Sequence, residues 1–184
     1  YLYFYLAESD YYLNNFQEAI EKYSKTFGSP DKKIVALSKL GIGWSYLKLK
    51  LYKESETALS EVNPSDLEKA SKDILLLAKA ILYLETNRIE EAKNIYDELI
   101  RTTENHVVSA QAYLGKADML YNALDYQNAI GAYRQAQDKL SDTISQDIVD
   151  KIHYGLAWSY LKEGQFKEAI DEFQKIVKFT EDKI

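Results

Sequence analysis

The segment Gly41-Ile42-Gly43-Trp44-Ser45-Tyr46-Leu47-Lys48 returns 114 positions later as Gly155-Leu156-Ala157-Trp158-Ser159-Tyr160-Leu161-Lys162. A chain that repeats itself at long range folds as repeated units, each burying the apolar face of its neighbour. The continuations agree as well, Tyr52-Lys53-Glu54-Ser55 against Phe166-Lys167-Glu168-Ala169.

The same skeleton runs through five units. A small residue lies midway along a first apolar stretch, at Ala7, Gly43, Ala80, Ala117 and Ala157. Twelve positions later stands a second one, at Ala19, Ser55, Ala92, Ala129 and Ala169. Three residues before this second site come Phe16, Tyr52, Ile89, Tyr126 and Phe166; four after it come Tyr23, Leu59, Tyr96, Tyr133 and Phe173. Three further on stand Thr26, Val62, Leu99, Ala136 and Ile176. Small residues let two antiparallel helices cross closely, and bulky residues three and four positions away fill the space around the crossing. The crossing tyrosines, such as Tyr96 and Tyr133, therefore read as core. The constant spacing of twelve implies one invariant turn inside each pair. The second small sites are 36, 37, 37 and 40 residues apart, so length varies only between pairs, most of all around Lys139 to Asp147.

These signals predict ten helices, at roughly 1–13, 16–27, 31–49, 52–62, 66–85, 88–101, 104–122, 126–139, 144–163 and 166–180. Asn15-x-x-Glu18, Asn87-x-x-Glu90 and Ser65-x-x-Glu68 read as capping boxes. Ser29-Pro30 reads as a cap before proline at the first helical position, and Gly164 as a helix end. Only 7 glycines and 2 prolines punctuate the 184 residues, which suits long helices with short connections. The expected fold is all-α: a right-handed superhelical solenoid of about five antiparallel helix pairs. It occupies 1–184 as one array with units near 1–28, 29–64, 65–102, 103–140 and 141–184. Tyr1 falls inside a helical pattern and Ile184 follows a second helix without a polar capping helix. The array is therefore expected to be a piece of a longer protein.

The skeleton resembles the tetratricopeptide repeat, a small-residue and aromatic pattern over 34 residues that runs Trp-x2-Leu-Gly-x2-Tyr, then Ala-x3-Phe, then Pro. The last unit carries it best, with Leu156-Ala157-x2-Tyr160 and Ala169-x3-Phe173; the second has Ile42-Gly43-x2-Tyr46 and Ser55-x3-Leu59, and the third Ala80-x2-Tyr83 and Ala92-x3-Tyr96. Most terminal prolines are missing, Lys79 and Lys116 replace leucine, Asp10 stands where tyrosine is usual, and the periods exceed 34. Longer units of this kind resemble those of bacterial cell-envelope assembly and scaffolding proteins. The resemblance implies that partners lie along an inner wall formed by the first helices. Counted from each first small site, that wall would comprise Phe4, Glu8 and Tyr11; Leu40, Trp44 and Leu47; Leu77, Ile81 and Leu84; Leu114, Asp118 and Tyr121; and Tyr154, Trp158 and Leu161. A Lys/Asn/Arg clamp for a carboxylate tail, known in one variant of the family, has no counterpart at Phe4 and Glu8 or at Leu37, Leu40, Gly41 and Trp44.

The expected function is a protein interaction scaffold that holds a peptide or partner helix in an apolar and aromatic groove. The alternative is a structural spacer or self-association module whose groove is covered by flanking sequence or another copy, which admits a homo-oligomer. Trp44 and Trp158 fit either a groove or a core. A net charge of −6 argues against nucleic acid as a partner. No apolar run reaches bilayer-spanning length, so no direct membrane insertion is expected, and no compartment follows. With no cysteine, thiol chemistry and cysteine-based zinc sites are excluded. His106 and His153, read as surface and helix-face residues, show no metal-ligand spacing. No phosphate-binding glycine loop or nucleophile elbow occurs. Glu90-Glu91 and Asp171-Glu172 read as solvated surface. Accordingly no enzyme activity, cofactor, metal or catalytic residue is expected.

Overall fold

A computed structural model describes the backbone of residues 1–181 and the side chains of residues 1–176; the expectation concerning Ile184 lies outside the described residues. Among these there are ten α-helices: α1 (Leu2–Tyr12), α2 (Phe16–Ser24), α3 (Lys32–Lys48), α4 (Tyr52–Ser60), α5 (Lys69–Glu85), α6 (Ile89–Thr102), α7 (His106–Asn122), α8 (Tyr126–Gln137), α9 (Gln146–Lys162) and α10 (Phe166–Glu181). The chain forms two compact units, Tyr1–Ala92 and Lys93–Ile184. In the first, α1 packs on α2, α2 on α3, α3 on α4 and α4 on α5; in the second, α7 packs on α8, α8 on α9 and α9 on α10. First helices also touch one another, α1 with α3, α3 with α5, and α7 with α9.

The ten small sites are the helix crossings. All are buried, from Ala7 and Ala19 to Ala157 and Ala169. At one crossing the contact is explicit: Ser55 Oγ donates to the Gly43 carbonyl at 2.9 Å. Of the bulky residues four positions on, Tyr23, Leu59, Tyr96 and Tyr133 are fully buried core.

The constant spacing of twelve has a backbone cause. Asn14, Lys50, Asn87, Leu124 and Gly164 all take positive φ, between 58° and 74°. Each stands seven residues after its small site. The amide that follows each one donates back five residues, as in Asn15 to Asp10, Leu51 to Tyr46 and Gln165 to Tyr160. The positive-φ residue itself donates back three, as in Lys50 to Leu47. This is the Schellman ending, which satisfies the last carbonyls of a helix and reverses the chain. Gly164 thus does end its helix, and four non-glycine residues fill the same role.

The expected capping boxes are not what starts the helices. Asn15 stands at the N-cap of α2 without a side-chain bond, and Asn87 is spent on the left-handed turn. Asn63 caps a short 3-10 turn over Pro64–Asp66, so α5 begins at Lys69 rather than near Ser65. The cap of α3 is Asp31, whose carboxylate accepts from the Lys33 and Ile34 amides; Ser29 and Pro30 belong to the connection. In α7 the cap is Asn105, bonded to the Val107 and Val108 amides.

Candidate protein-interaction site

Two side-chain pairings set the character of the first-helix face. In the first unit of the repeat, Tyr23 Oη donates to Glu8 Oε1. In the fourth, Tyr133 Oη donates to Asp118 Oδ1 at 2.5 Å. Burial, followed by the adjacent carboxylate, pushes both phenols well above the ordinary tyrosine value. Where the acidic position is tryptophan instead, the second helix offers no hydroxyl: Trp44 is matched with Leu59 and Trp158 with Phe173. Trp158 stacks edge-on with Phe173 at 6.0 Å and with Tyr154 at 6.1 Å. Both indoles are half-buried, and each Nε1 is enclosed without an acceptor among the described residues.

The same tyrosines reach a second partner. Tyr23 lies against Gly41, Tyr96 against Gly115 and Tyr133 against Gly155, so closely that a methyl group at any of the three glycines would collide with the ring. Each glycine is two residues before the small site of the following first helix. At the one step where leucine replaces tyrosine, the matching residue is Ala78, buried in the same cluster as Leu59. Tyrosine therefore joins successive pairs only where the next helix has lost its Cβ. Sequence reasoning identified the tyrosines but missed the glycine partners; the signal was present as glycine at a fixed offset from the crossing.

Of the fifteen residues expected on the inner wall, four are not available. Leu40, Leu47, Leu77 and Leu114 are buried core, with 9% exposure or less. Packing against neighbouring helices decides this and not the offset from the small site, since Phe4, Tyr11, Leu84, Tyr121, Tyr154 and Leu161 stand at the same offsets without being buried. Phe4, Glu8, Tyr11, Trp44, Ile81, Leu84, Asp118, Tyr121, Trp158 and Leu161 are half-buried, and Tyr154 is exposed. In the first compact unit Phe4 and Tyr11 pack against the cluster of Ala7, Ala19 and Tyr23, while Trp44 and Ile81 pack against that of Leu40, Leu59 and Ala78. Burial, with smaller contributions from Tyr12 and Glu8, raises the Tyr11 phenol to about 12.

In residues 93–184 the expected positions converge. Asp118 and Tyr121 of α7 and Tyr154 and Trp158 of α9 line an open cleft of about 730 Å³. The cleft also takes in Tyr133, Gly155 and Ile176, together with Asp147, Asp150, Lys151 and Lys162, which sequence reasoning did not select. These last four follow from the helical period of α9 carried outward from Tyr154 and Trp158. A smaller cavity of about 290 Å³ in the first unit, bordered by Phe27, Lys39, Tyr46 and Glu61, involves no expected wall residue.

One electrostatic expectation is corrected, that of Glu172 as solvated surface. His153 is buried, with Nδ1 2.6 Å from Glu172 Oε2, and Glu172 is equally buried, not solvated surface. Burial opposes ionisation of Glu172, but His153 and Lys175 outweigh it and lower its pKa. The departures at Asp10 and Lys116 are ion-paired, Asp10 with Lys22 and Lys116 with Asp97. Among the described residues, no helix is long and apolar enough to cross a membrane.

Helix pairs with small crossings, a fixed left-handed turn and a tyrosine tie define a helical-repeat protein of the tetratricopeptide class. Tetratricopeptide repeat models match residues 77–143 and 150–183, together more than half of the chain. The chain belongs to the tetratricopeptide repeat family. No curated protein sequence matches it. Among solved structures it is similar to MamA AMB-1, with a TM-score of 0.63, 16% identity and 98% of each chain covered. MamA MSR-1 gives 0.61 at 17% identity, covering 99% of this chain and 97% of that one. YrrB, described as a TPR protein with an unusual peptide-binding site, gives 0.58 at 15% identity, covering 98% of this chain and 86% of that one. At these identities the likeness is one of fold.

Proposed function

We propose that this chain is an interaction scaffold that binds a protein or peptide partner, and that the cleft in residues 93–184 is a principal contact. Membership of the tetratricopeptide family supports the general role. The observation that carries the location is the convergence of Asp118, Tyr121, Tyr154 and Trp158 on one open cleft of about 730 Å³. Partly buried aromatic rings offer large contact area at small entropic cost, which is why tryptophan and tyrosine dominate the energetics of such sites. The Trp158 ring is already braced by Tyr154 and Phe173, so little ordering is left for a ligand to impose. In the first compact unit the half-buried residues Phe4, Glu8, Tyr11, Trp44, Ile81 and Leu84 would supply further contacts.

The test is a peptide array probed with the intact chain and with Trp158→Ala. Binding to a subset of peptides that weakens by about tenfold or more in the variant is expected, the ordinary loss for an aromatic anchor. Binding unaffected by Trp158→Ala would move the contact away from the cleft, and an array with no binders would count against a peptide partner.

A further inference from the structure

The outer stripe of α1 is apolar and carries no charge. Leu2, Tyr5, Leu6, Tyr12 and Leu13 are 41–77% exposed, and Ser9, midway along the stripe, is exposed as well. At the α-helical period these six side chains fall within about 120° of the helix circumference. The acids of α1 are engaged by α2 instead: Glu8 accepts from Tyr23 and Asp10 from Lys22.

The other first helices show what such a stripe does. Ser45 of α3 and Ser159 of α9 match Ser9, and both are fully buried. Each donates to the carbonyl four residues back, of Gly41 and of Gly155. Those are the glycines that receive the tyrosine of the preceding pair. Ser9 makes the same bond, to the Tyr5 carbonyl at 2.9 Å, so its hydroxyl can be buried without losing a partner. Its flanks follow the crossing pattern too, with Tyr5 and Leu6 four and three residues before it and Tyr12 and Leu13 three and four after. In α1, however, the glycine position is held by Tyr5. The seat that takes a tyrosine ring elsewhere is filled by a ring of its own, so a tyrosine or leucine tie of the array's kind does not fit there.

A second copy of the chain does fit. Two α1 helices crossing antiparallel about a two-fold axis at Ser9 set Tyr5 of one copy beside Leu13 of the other, and Leu6 beside Tyr12. Each aromatic ring then meets an aliphatic side chain. In a two-fold contact a surface faces itself, so any charge on it would meet its like. This stripe has none, although the chain carries a net charge of −6. The exposed parts of its five apolar side chains amount to roughly 450 Å² per copy, or roughly 900 Å² for the pair. That is the scale of a weak, reversible contact rather than an obligate one. We propose that the chain self-associates through the outer face of α1, as a two-fold dimer with Ser9 at the crossing. The contact is separate from the cleft and adds to the scaffold reading without resting on it.

The experiment is sedimentation equilibrium of the intact chain from about 1 to about 500 μM, the range in which weak association is read. The mass is expected to rise with concentration from 21.2 kDa toward twice that value. Ser9→Arg puts bulk and like charge at the axis and should weaken association by at least about tenfold. Leu6→Glu and Tyr12→Lys should each weaken it by a similar factor. An equimolar mixture of these two should associate more tightly than either alone, because glutamate of one copy then lies beside lysine of the other. All three substitutions fall on exposed positions, and far-UV circular dichroism matching that of the parent chain confirms that the helices are kept. Trp158→Ala should leave the association unchanged. A strict monomer over the whole range would overturn the inference, whether other sequence or a different protein covers the stripe. So would association unaffected by Ser9→Arg, or a mixture no tighter than its components. Each of these results leaves the scaffold reading to the peptide array.

Discussion

At the scale of single residues, the chain spends its tyrosines as ties with two ends. The ring of Tyr133 closes on Gly155, and its hydroxyl is anchored by Asp118; Tyr23 does the same between Gly41 and Glu8. A pH dependence follows. Tyr11, Tyr23 and Tyr133 all have pKa values raised by folding. The folded state therefore holds these protons more tightly than the unfolded chain does. Their contribution is complete below about pH 10, the unfolded tyrosine value, and declines as the pH rises above it, by about 1.4 kcal/mol per pH unit for each such tyrosine. For Tyr11 the decline continues until its folded value, about 12, is passed. Urea midpoints measured from neutral pH into alkali should be level and then fall, and Tyr11→Phe should flatten part of that fall. A midpoint that stays level above pH 10 would show that the phenols are not protected.

Two predictions belong to the elements. The first concerns the joint between α8 and α9. A Cβ at Gly155 would collide with the Tyr133 ring, so Gly155→Ala should destabilise by about 1–3 kcal/mol, the ordinary cost of overpacking a close contact. Adding Tyr133→Leu recreates the pairing of Leu59 with Ala78 found elsewhere in the chain, and the double variant should recover part of the loss. Chemical denaturation of the four proteins gives the coupling energy, and strict additivity would mean that the two residues do not act as a pair. The second concerns the turn between α7 and α8. Leu124 is exposed and takes a φ of 64°, a conformation costly for any residue with a Cβ. Leu124→Gly should raise stability by about 1 kcal/mol, the direction of change expected when a Schellman position receives the residue it favours. A lower melting temperature would contradict it.

Across the whole molecule, the chain is two compact units, each with its own core, the division falling inside α6 after Ala92. Stability in such arrays arises from each repeat and its nearest neighbours, which is why the tyrosine ties between pairs matter as much as the crossings within them. The proposed function is arranged differently from stability. The crossings recur in all five repeats, whereas an open cleft with aromatic and acidic lining forms where Asp118, Tyr121, Tyr154 and Trp158 meet in residues 93–184. That local difference is the basis for placing the partner there.

Much of the fold was legible in the sequence because it is local and repeated. Helix type, helix order, the five crossings and the constant turn all follow from small and bulky residues at fixed offsets, and the helical period alone carries that information. The site was legible only in part. Its aromatic and acidic members could be read from their offsets, but their accessibility could not. Leu77 and Trp44 both belong to the expected wall, and only packing against neighbouring helices decides that the first is core and the second half-exposed. The burial of His153 with Glu172, the pairing of Tyr133 with Gly155 and the convergence of α7 and α9 on one cleft are likewise contacts between residues 19 or more positions apart. Sequence periodicity says which side of a helix a residue occupies; only the tertiary structure says what that side faces, because the answer depends on the depth and angle at which the next helix packs.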